Sequence, residues 1–318
     1  MVSANARPPL AAIDIGTNTI RLLVARATLA GGRLGLEQLA SRTATVRLGY
    51  GIERTGRFDP ARLALAVKTV QEYHHLAREL GAAPILIVAT SATRDAANGA
   101  ELVERTAAAT GLRAAIIGGT REAALTFAGV TIGLALTGTL LVADLGGGSL
   151  ELIVSRDGDL RSTASLQIGS GRLTERHIPD DPPGEAMIAR AASDAAAAIG
   201  PEARDAPAID RAILVGGTAK ALAVLAPQPD APLTMTAARI ARALALLGEE
   251  PSAALAARTG LDPERVRALP AGAAIIGAIL AAYRPDTAII GSGGIREGIL
   301  LDYLRHTDVG GGLPSATA

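Results

Sequence analysis

Two short stretches set a strand-ending aspartate beside glycines and a hydroxyl. One is Asp14-Ile15-Gly16-Thr17-Asn18-Thr19; the other is Asp144-Leu145-Gly146-Gly147-Gly148-Ser149. A carboxylate at the end of a strand can hold Mg²⁺ directly or through water. Consecutive glycines let several backbone N–H groups converge on one anion, and Thr19 and Ser149 add hydroxyl donors. The chemistry these residue types support is the holding of phosphate groups. A tight turn between strands uses one or two glycines at positive φ, so three in a row with a hydroxyl exceed what the turn needs. Asp14 has a second reading, as a carboxylate that hydrogen-bonds the backbone of its own loop. Neither G-x-x-x-x-G-K-[ST] nor G-x-G-x-x-G occurs, which excludes a P-loop and a Rossmann fingerprint.

The two stretches align residue for residue. Asp14 falls on Asp144, Gly16 on Gly146, Thr17 on Gly147, Asn18 on Gly148, Thr19 on Ser149 and Leu22 on Leu152. An apolar strand enters each and another leaves each. The duplication predicts two homologous α/β domains facing one cleft, with a loop from each clamping a phosphate chain. The boundary is placed near residue 133, giving domain I as 1–133 and domain II as 134–318, the latter with a C-terminal helix and a disordered tail.

The elements that must position these loops alternate along the chain. "PLAAIDIG", "RLLVARAT" and "RLGLEQLASRTATVRL" read as an antiparallel start. "DPARLALAVKTVQEYHHLARELG" is an amphipathic helix opened by Asp59 with Pro60 in its first turn. "APILIVAT" is a buried strand, "ELVERTAAATG" a helix closed by glycine, and "TREAALTFAGVTIGL" a helix with Thr120 as its cap. Strands follow in "TLLVADL", "LELIV", "RAILVGG" and "DTAIIGSGG". "AGAAIIGAILAAY" is too short to span a membrane and reads as a buried helix.

Composition narrows the classes. The 318 residues are 49% hydrophobic and 19% charged, with zero formal net charge. That supports a sizeable core and argues against broad nucleic-acid binding. Aromatic residues are 2%, too few for single-strand stacking platforms. There is no cysteine, hence no disulfide and no thiolate metal site. His74 and His75 are adjacent on a helix and cannot share a metal as an i,i+4 pair would. His177 and His306 have no partner at ligand spacing. No signal peptide is legible, so a cytoplasmic location is expected.

In order along the chain, "AIDIGTNTIRLLVA", "VRLGYGIERTGRF", "VATSATRDA", "IIGGTREAALTFAGV", "ADLGGGSLEL", "SLQIGSGRLTER" and "GSGGIREGILLDYL" resemble the successive motifs of the exopolyphosphatase and guanosine-pentaphosphate phosphohydrolase family. That family lies within the actin-like ATPase superfamily of ribonuclease H-like domains. The resemblance covers nearly the whole chain. It implies a phosphoanhydride hydrolase using Mg²⁺ (or Mn²⁺), acting on inorganic polyphosphate and releasing orthophosphate, in a homodimeric state; from composition, no nucleic-acid or membrane partner is expected. It implies Glu122 as general base and Arg94 as the phosphate-binding arginine. Gly16, Thr17, Asn18 and Thr19 form the first phosphate loop; Gly146, Gly147, Gly148 and Ser149 form the second. The resemblance implies Asp144 and Glu151 as metal carboxylates, and Asp14 is expected to join them from its place at the end of its strand.

The chain departs from the family where Arg121 precedes Glu122. If Arg121 paired with Glu122 it would make the base more acidic and weaker. Adjacent helix positions diverge in direction, however. Arg47 and Arg172 either contact the anionic chain or are solvated surface residues. "VGGTAKAL" either lines the cleft or caps a helix through Gly217–Thr218. The chain ends soon after "LLDYL", where long members continue into helical domains, which favours shorter polymers. The alternatives are a guanosine pentaphosphate 5′-phosphohydrolase, a non-catalytic polyphosphate or nucleotide sensor, and a sugar or acid kinase. The last is disfavoured by "TREAALTFAGV" and "GGIREGIL".

Overall fold

The computed structural model describes residues 8–30 and 33–308. These form two compact units. One holds the chain up to Ala135 together with the residues from Gly293 onward; the other is Leu136–Ser292.

The first unit is built on β1 (Leu10–Ile15), β2 (Thr19–Ala30), β3 (Arg33–Thr45), β4 (Ile85–Ala89) and β5 (Ala115–Ile116). Their spatial order is β3-β2-β1-β4-β5. β1 to β3 pair antiparallel, whereas β4 and β5 join in parallel. This is the antiparallel start expected from the sequence. The helices are α1 (Ile52–Thr55), α2 (Pro60–Glu79), α3 (Ser91–Asp95), α4 (Gly99–Thr110) and α5 (Gly119–Val130). α2 opens as its sequence dictates. The Asp59 carboxylate accepts the N–H groups of Ala61 and Arg62, both at 3.0 Å, with Pro60 in the first turn, where a missing N–H costs nothing. α4 ends on Gly111 in the left-handed conformation, as its closing glycine predicts. α5 differs from expectation. Its N-cap is Gly118, with no side-chain cap, so Thr120 lies inside the first turn rather than at the cap.

The second unit repeats the first. β6 (Thr139–Leu145), β7 (Leu150–Arg156), β8 (Asp159–Leu166), β9 (Arg211–Val215) and β10 (Thr287–Ile290) stand in the order β10-β9-β6-β7-β8. The pairing senses also match. Its helices are α6 (Ser170–His177), α7 (Glu185–Arg204), α8 (Gly217–Leu225), α9 (Ala237–Glu249), α10 (Ser252–Thr259), α11 (Pro263–Arg267) and α12 (Leu269–Tyr283). α12 is the apolar stretch expected as a buried helix, and ten of its residues are buried. No helix among the described residues is long and apolar enough to cross a membrane.

The closing helix α13 (Ile295–Asp308) corrects the domain assignment. It was expected with the second domain, but it belongs to the first unit. The reason is apolar cover. On β1, Ala11, Ile13 and Ile15 face the core shared with α2. Leu10 and Ala12 face the other way, where Ile295, Ile299, Leu300 and Leu304 of α13 complete a second core with Leu125. Glycines let α5 and α13 approach closely: a Cβ at Gly129 would overlap the Gly294 carbonyl, and one at Gly298 the Leu125 carbonyl. The division between units falls at Ala135/Leu136, against the expected boundary near residue 133. The expected disordered tail lies outside the described residues.

Candidate active site

The duplication extends to single hydrogen bonds. In the first loop the Gly16 N–H donates to the Thr19 carbonyl at 3.1 Å; in the second, Gly146 N–H donates to the Ser149 carbonyl at 3.0 Å. The flanking registers coincide too. Asp14 is paired with Arg21 across β1 and β2, and Asp144 with Glu151 across β6 and β7. The equivalent carboxylates therefore face opposite partners: an arginine in one unit, a second carboxylate in the other.

The second loop is closely approached by the residues that open α6. Among the described residues, the glycines with left-handed backbone lie elsewhere, which corrects the expectation that the turn itself needs positive φ. α6 is seated directly behind this loop. Ser170 N–H donates to Gly146 O and Arg172 N–H to Gly147 O, both at 3.0 Å. The Arg172 Nε donates to Gly148 O at 2.8 Å. A Cβ at Gly169 would collide with the Gly147 carbonyl group and the Gly148 nitrogen. With the carbonyls of three successive residues taken from behind, the loop is braced against α6, an arrangement that favours anion binding by its N–H groups. Arg172 thus braces the loop by a side-chain bond to its backbone.

Glu151 is buried, and Ser165 on β8 donates its hydroxyl to Glu151 Oε1 at 2.8 Å. Asp144 and Glu151 stand directly opposite one another on adjacent strands, so their side chains share one face. Sequence alternation alone left the face of Glu151 open; the register places it with Asp144. Gly216, at φ 97°, sits so close that a Cβ there would lie 2.6 Å from the Leu145 carbonyl oxygen and 3.2 Å from Asp144 Oδ1. "VGGTAKAL" accordingly supplies the N-terminus of α8, with Gly216 as its N-cap.

In the first unit, Arg94 on α3 and Glu122 on α5 meet. Arg94 Nη1 donates to Glu122 Oε2 at 2.8 Å and to the Ile117 carbonyl at 2.6 Å. Their side chains are 19% and 12% exposed. Arg94 Nη2 is buried with no hydrogen-bond partner among the described residues. A buried guanidinium N–H without an acceptor is costly, and a phosphoryl oxygen would satisfy it. Arg121 pairs with Asp302 on α13, while Glu122 takes its guanidinium from Arg94. Asp14, expected among the metal carboxylates, is buried in the first unit, opposite Arg21 and within the field of Arg296. Burial pulls the Arg296 guanidinium below its ordinary range, and Asp14 and Glu297 act against that. The neighbourhood of Asp14 is therefore cationic.

Sequence reasoning missed Gly169, Arg296 and Ser165. Gly169 and Ser165 lie in the quoted stretch "SLQIGSGRLTER" and Arg296 in "GGIREGIL", but their roles come from contacts with residues distant in the chain. Among the described residues, no group of three or more His, Cys, Asp or Glu stands ready to hold a metal.

Two copies of one mixed sheet, each carrying the same hydrogen-bonded turn between its first two strands, define a protein of the actin-like ATPase class. Within that class the chain belongs to the Ppx/GppA phosphatase family, whose profile matches residues 24–307. It is 30% identical to exopolyphosphatase 1 of Mycobacterium leprae, over 93% of this chain and 89% of that protein. It is 27% identical to the guanosine-5′-triphosphate,3′-diphosphate pyrophosphatase of Aeromonas salmonicida, over 94% of this chain and 60% of that protein. A crystal structure of an exopolyphosphatase-like protein superimposes with a TM-score of 0.84 at 29% identity, covering 94% of this chain and 99% of that one.

Proposed function

We propose that the protein is an exopolyphosphatase, hydrolysing the terminal phosphoanhydride bond of inorganic polyphosphate and releasing orthophosphate. The observation that carries this reading is the buried Arg94–Glu122 pair: a carboxylate able to take a proton, held by a guanidinium that still has a donor to give. Water attacks the terminal phosphorus in line, the bond to the bridging oxygen breaks, and the water proton passes to Glu122. Arg94, with the N–H groups of the loop at Gly16–Thr19 in the same unit, stabilises charge on the transferred phosphoryl oxygens; the loop at Gly146–Ser149 offers N–H groups of the same kind to phosphate. Substrate binding gives Arg94 phosphoryl oxygens to hold, so its hold on Glu122 is shared as the carboxylate takes up its role as base.

The Asp144–Glu151 pair suits Mg²⁺, a hard cation that takes one or two carboxylates and completes its shell with water and substrate phosphate. A cation there relieves the repulsion of two facing carboxylates. Asp14, beside Arg21 and Arg296, suits the other reading weighed for it, as a carboxylate serving its own loop. When bound, the metal neutralises charge on the phosphate chain.

Phosphate release with Mg²⁺ from tripolyphosphate, long-chain polyphosphate, guanosine pentaphosphate and ATP, with Glu122→Gln alongside, tests the reading. Polyphosphate is expected to be the best substrate, and the variant to lose at least about 100-fold in kcat while still binding it. A higher kcat/KM on guanosine pentaphosphate would install the activity named for the Aeromonas relative instead. Binding without turnover of any of the four would make the protein a sensor.

A further inference from the structure

The reaction above uses only the end of the phosphate chain and leaves a charged surface of the first unit without a task. Between β3 and the first turns of α2 the chain carries Arg47, Arg54, Arg57 and Arg62 against two acids, Glu53 and Asp59. The Asp59 carboxylate is turned to the N-terminus of α2. Arg54 and Arg57 are exposed. Arg62 donates to the carbonyls of Val46 and Arg47, at 3.2 and 3.5 Å. No carboxylate pairs with Arg54, Arg57 or Arg62 among the described residues. The guanidiniums of Arg47 and Arg62 both lie over the exposed Tyr50 ring, 4.5 and 4.7 Å from its centroid. For a chain with zero net charge this is a concentrated cationic strip.

Its position is fixed by the elements of the candidate site. Val46 and Arg47 N–H both donate to the Asn18 carbonyl, at 2.9 and 2.8 Å, and Gly49 N–H donates to that of Thr17 at 2.9 Å. Arg47 is held at φ 51°, a left-handed conformation uncommon outside glycine that persists where the surroundings over-determine it. At the other end, Ala97 N–H donates to the Gly56 carbonyl and Phe58 N–H to Asn98 Oδ1, both at 2.8 Å. Ala97 and Asn98 directly follow α3, the helix of Arg94. The arginine strip is thus tied to the first phosphate loop on one side and to the phosphate-binding arginine's helix on the other.

We propose that this strip is a distal subsite for the internal phosphates of a long polyphosphate chain, engaged beyond the reacting end; the proposal rests on the polyphosphate reading above. A polyphosphate chain is a uniform, flexible polyanion with no feature to read except charge and length. Guanidiniums on a segment pinned at both ends supply charge-assisted bonds without sequence or base selectivity. Release of condensed counterions gives such binding a steep salt dependence. Stacking on Tyr50 holds the guanidiniums of Arg47 and Arg62 at the base of the strip, and the exposed Arg54 and Arg57 supply the donors.

The test compares the wild type with the double variant Arg54→Gln/Arg57→Gln on tripolyphosphate, on long-chain polyphosphate and on guanosine pentaphosphate, across a range of salt. Both side chains are exposed, and Arg62 is kept because it braces the backbone. The expected result is a five- to tenfold rise, roughly, in KM for the long chain, with a slope of log KM against log salt shallower by about one to two. The KM for tripolyphosphate and kcat on both polymers stay within about twofold. Arg54→Lys/Arg57→Lys restores most of the salt slope, since it returns charge without the fork. An equal rise for tripolyphosphate and the long chain, no rise for either, or a rise confined to guanosine pentaphosphate overturns the distal subsite. A wild type that turns over neither polymer removes the proposed function itself. A wild type that turns over both, with a variant that does not discriminate, removes the subsite alone.

Discussion

Arg121 stands one position before the carboxylate assigned the proton, and its guanidinium pairs with Asp302 on the neighbouring helix. Its side chain is 49% exposed, and exposed pairs of this kind contribute at most about 1 kcal/mol. Arg121→Ala is therefore expected to change kcat by less than about twofold and to lower stability by no more than that amount. Phosphate release and a thermal melt check both; a large fall in kcat would mean that Arg121 acts on Glu122 after all. Arg94→Ala belongs at the other extreme. It leaves the Glu122 carboxylate buried without its guanidinium, a change that costs about 3 kcal/mol or more when a buried pair is broken from one side. Its melt is expected to fall well below that of Arg121→Ala, with turnover lost in parallel. Neither contrast is legible in sequence. Glu122 reads as an ordinary glutamate on an amphipathic helix until its resemblance to a family motif is noticed. What singles it out physically is an arginine 28 positions away.

Elements carry what residues cannot. The turn at 146–148 between β6 and β7 was legible, because three glycines follow a strand-end aspartate. Its support from α6 was not, because Gly169 and Arg172 act on backbone that only the fold brings near. Gly169→Ala is expected to push α6 off the loop, lowering stability by about 1–3 kcal/mol and raising KM for phosphate-chain substrates. A melt with Michaelis–Menten kinetics separates the two effects. α6 is also tied to α7 through Asp194, whose Oδ2 lies 2.9 Å from His177 Nε2 and 2.7 Å from Arg176 Nη1. The hydrogen bond to His177, with help from Arg176, holds the Asp194 carboxyl below its ordinary range. A depressed carboxylate stabilises the fold above its unfolded pKa, near 4, and loses that contribution as pH falls through its native value. Wild type minus Asp194→Asn is thus expected to differ by about 1 kcal/mol near neutrality, and the difference to shrink below about pH 4. Urea titrations at a series of pH values measure it.

At the scale of the whole molecule, the internal echo in the sequence was enough to reveal two α/β units and their shared topology. Asp14 and Asp144 alone fix the alignment that the registers reproduce. The path of the C-terminus was not legible, because an apolar helix carries no mark of which sheet it covers. α13 returns to the first unit and is seated by glycines at van der Waals limits. Gly298→Ala forces a methyl group into the Leu125 carbonyl and is expected to destabilise the protein by about 3 kcal/mol, read as an earlier denaturant midpoint. That return path bears on how the protein is made. Chains emerge from the ribosome N-terminus first, and domains generally fold as they appear. Here the first unit to emerge lacks the helix that closes its second core until Ile295–Asp308 is synthesised, whereas the second unit is continuous and complete by Ser292. The second unit is therefore the first able to finish folding, and the first unit waits, with one apolar face uncovered, for α13 to emerge.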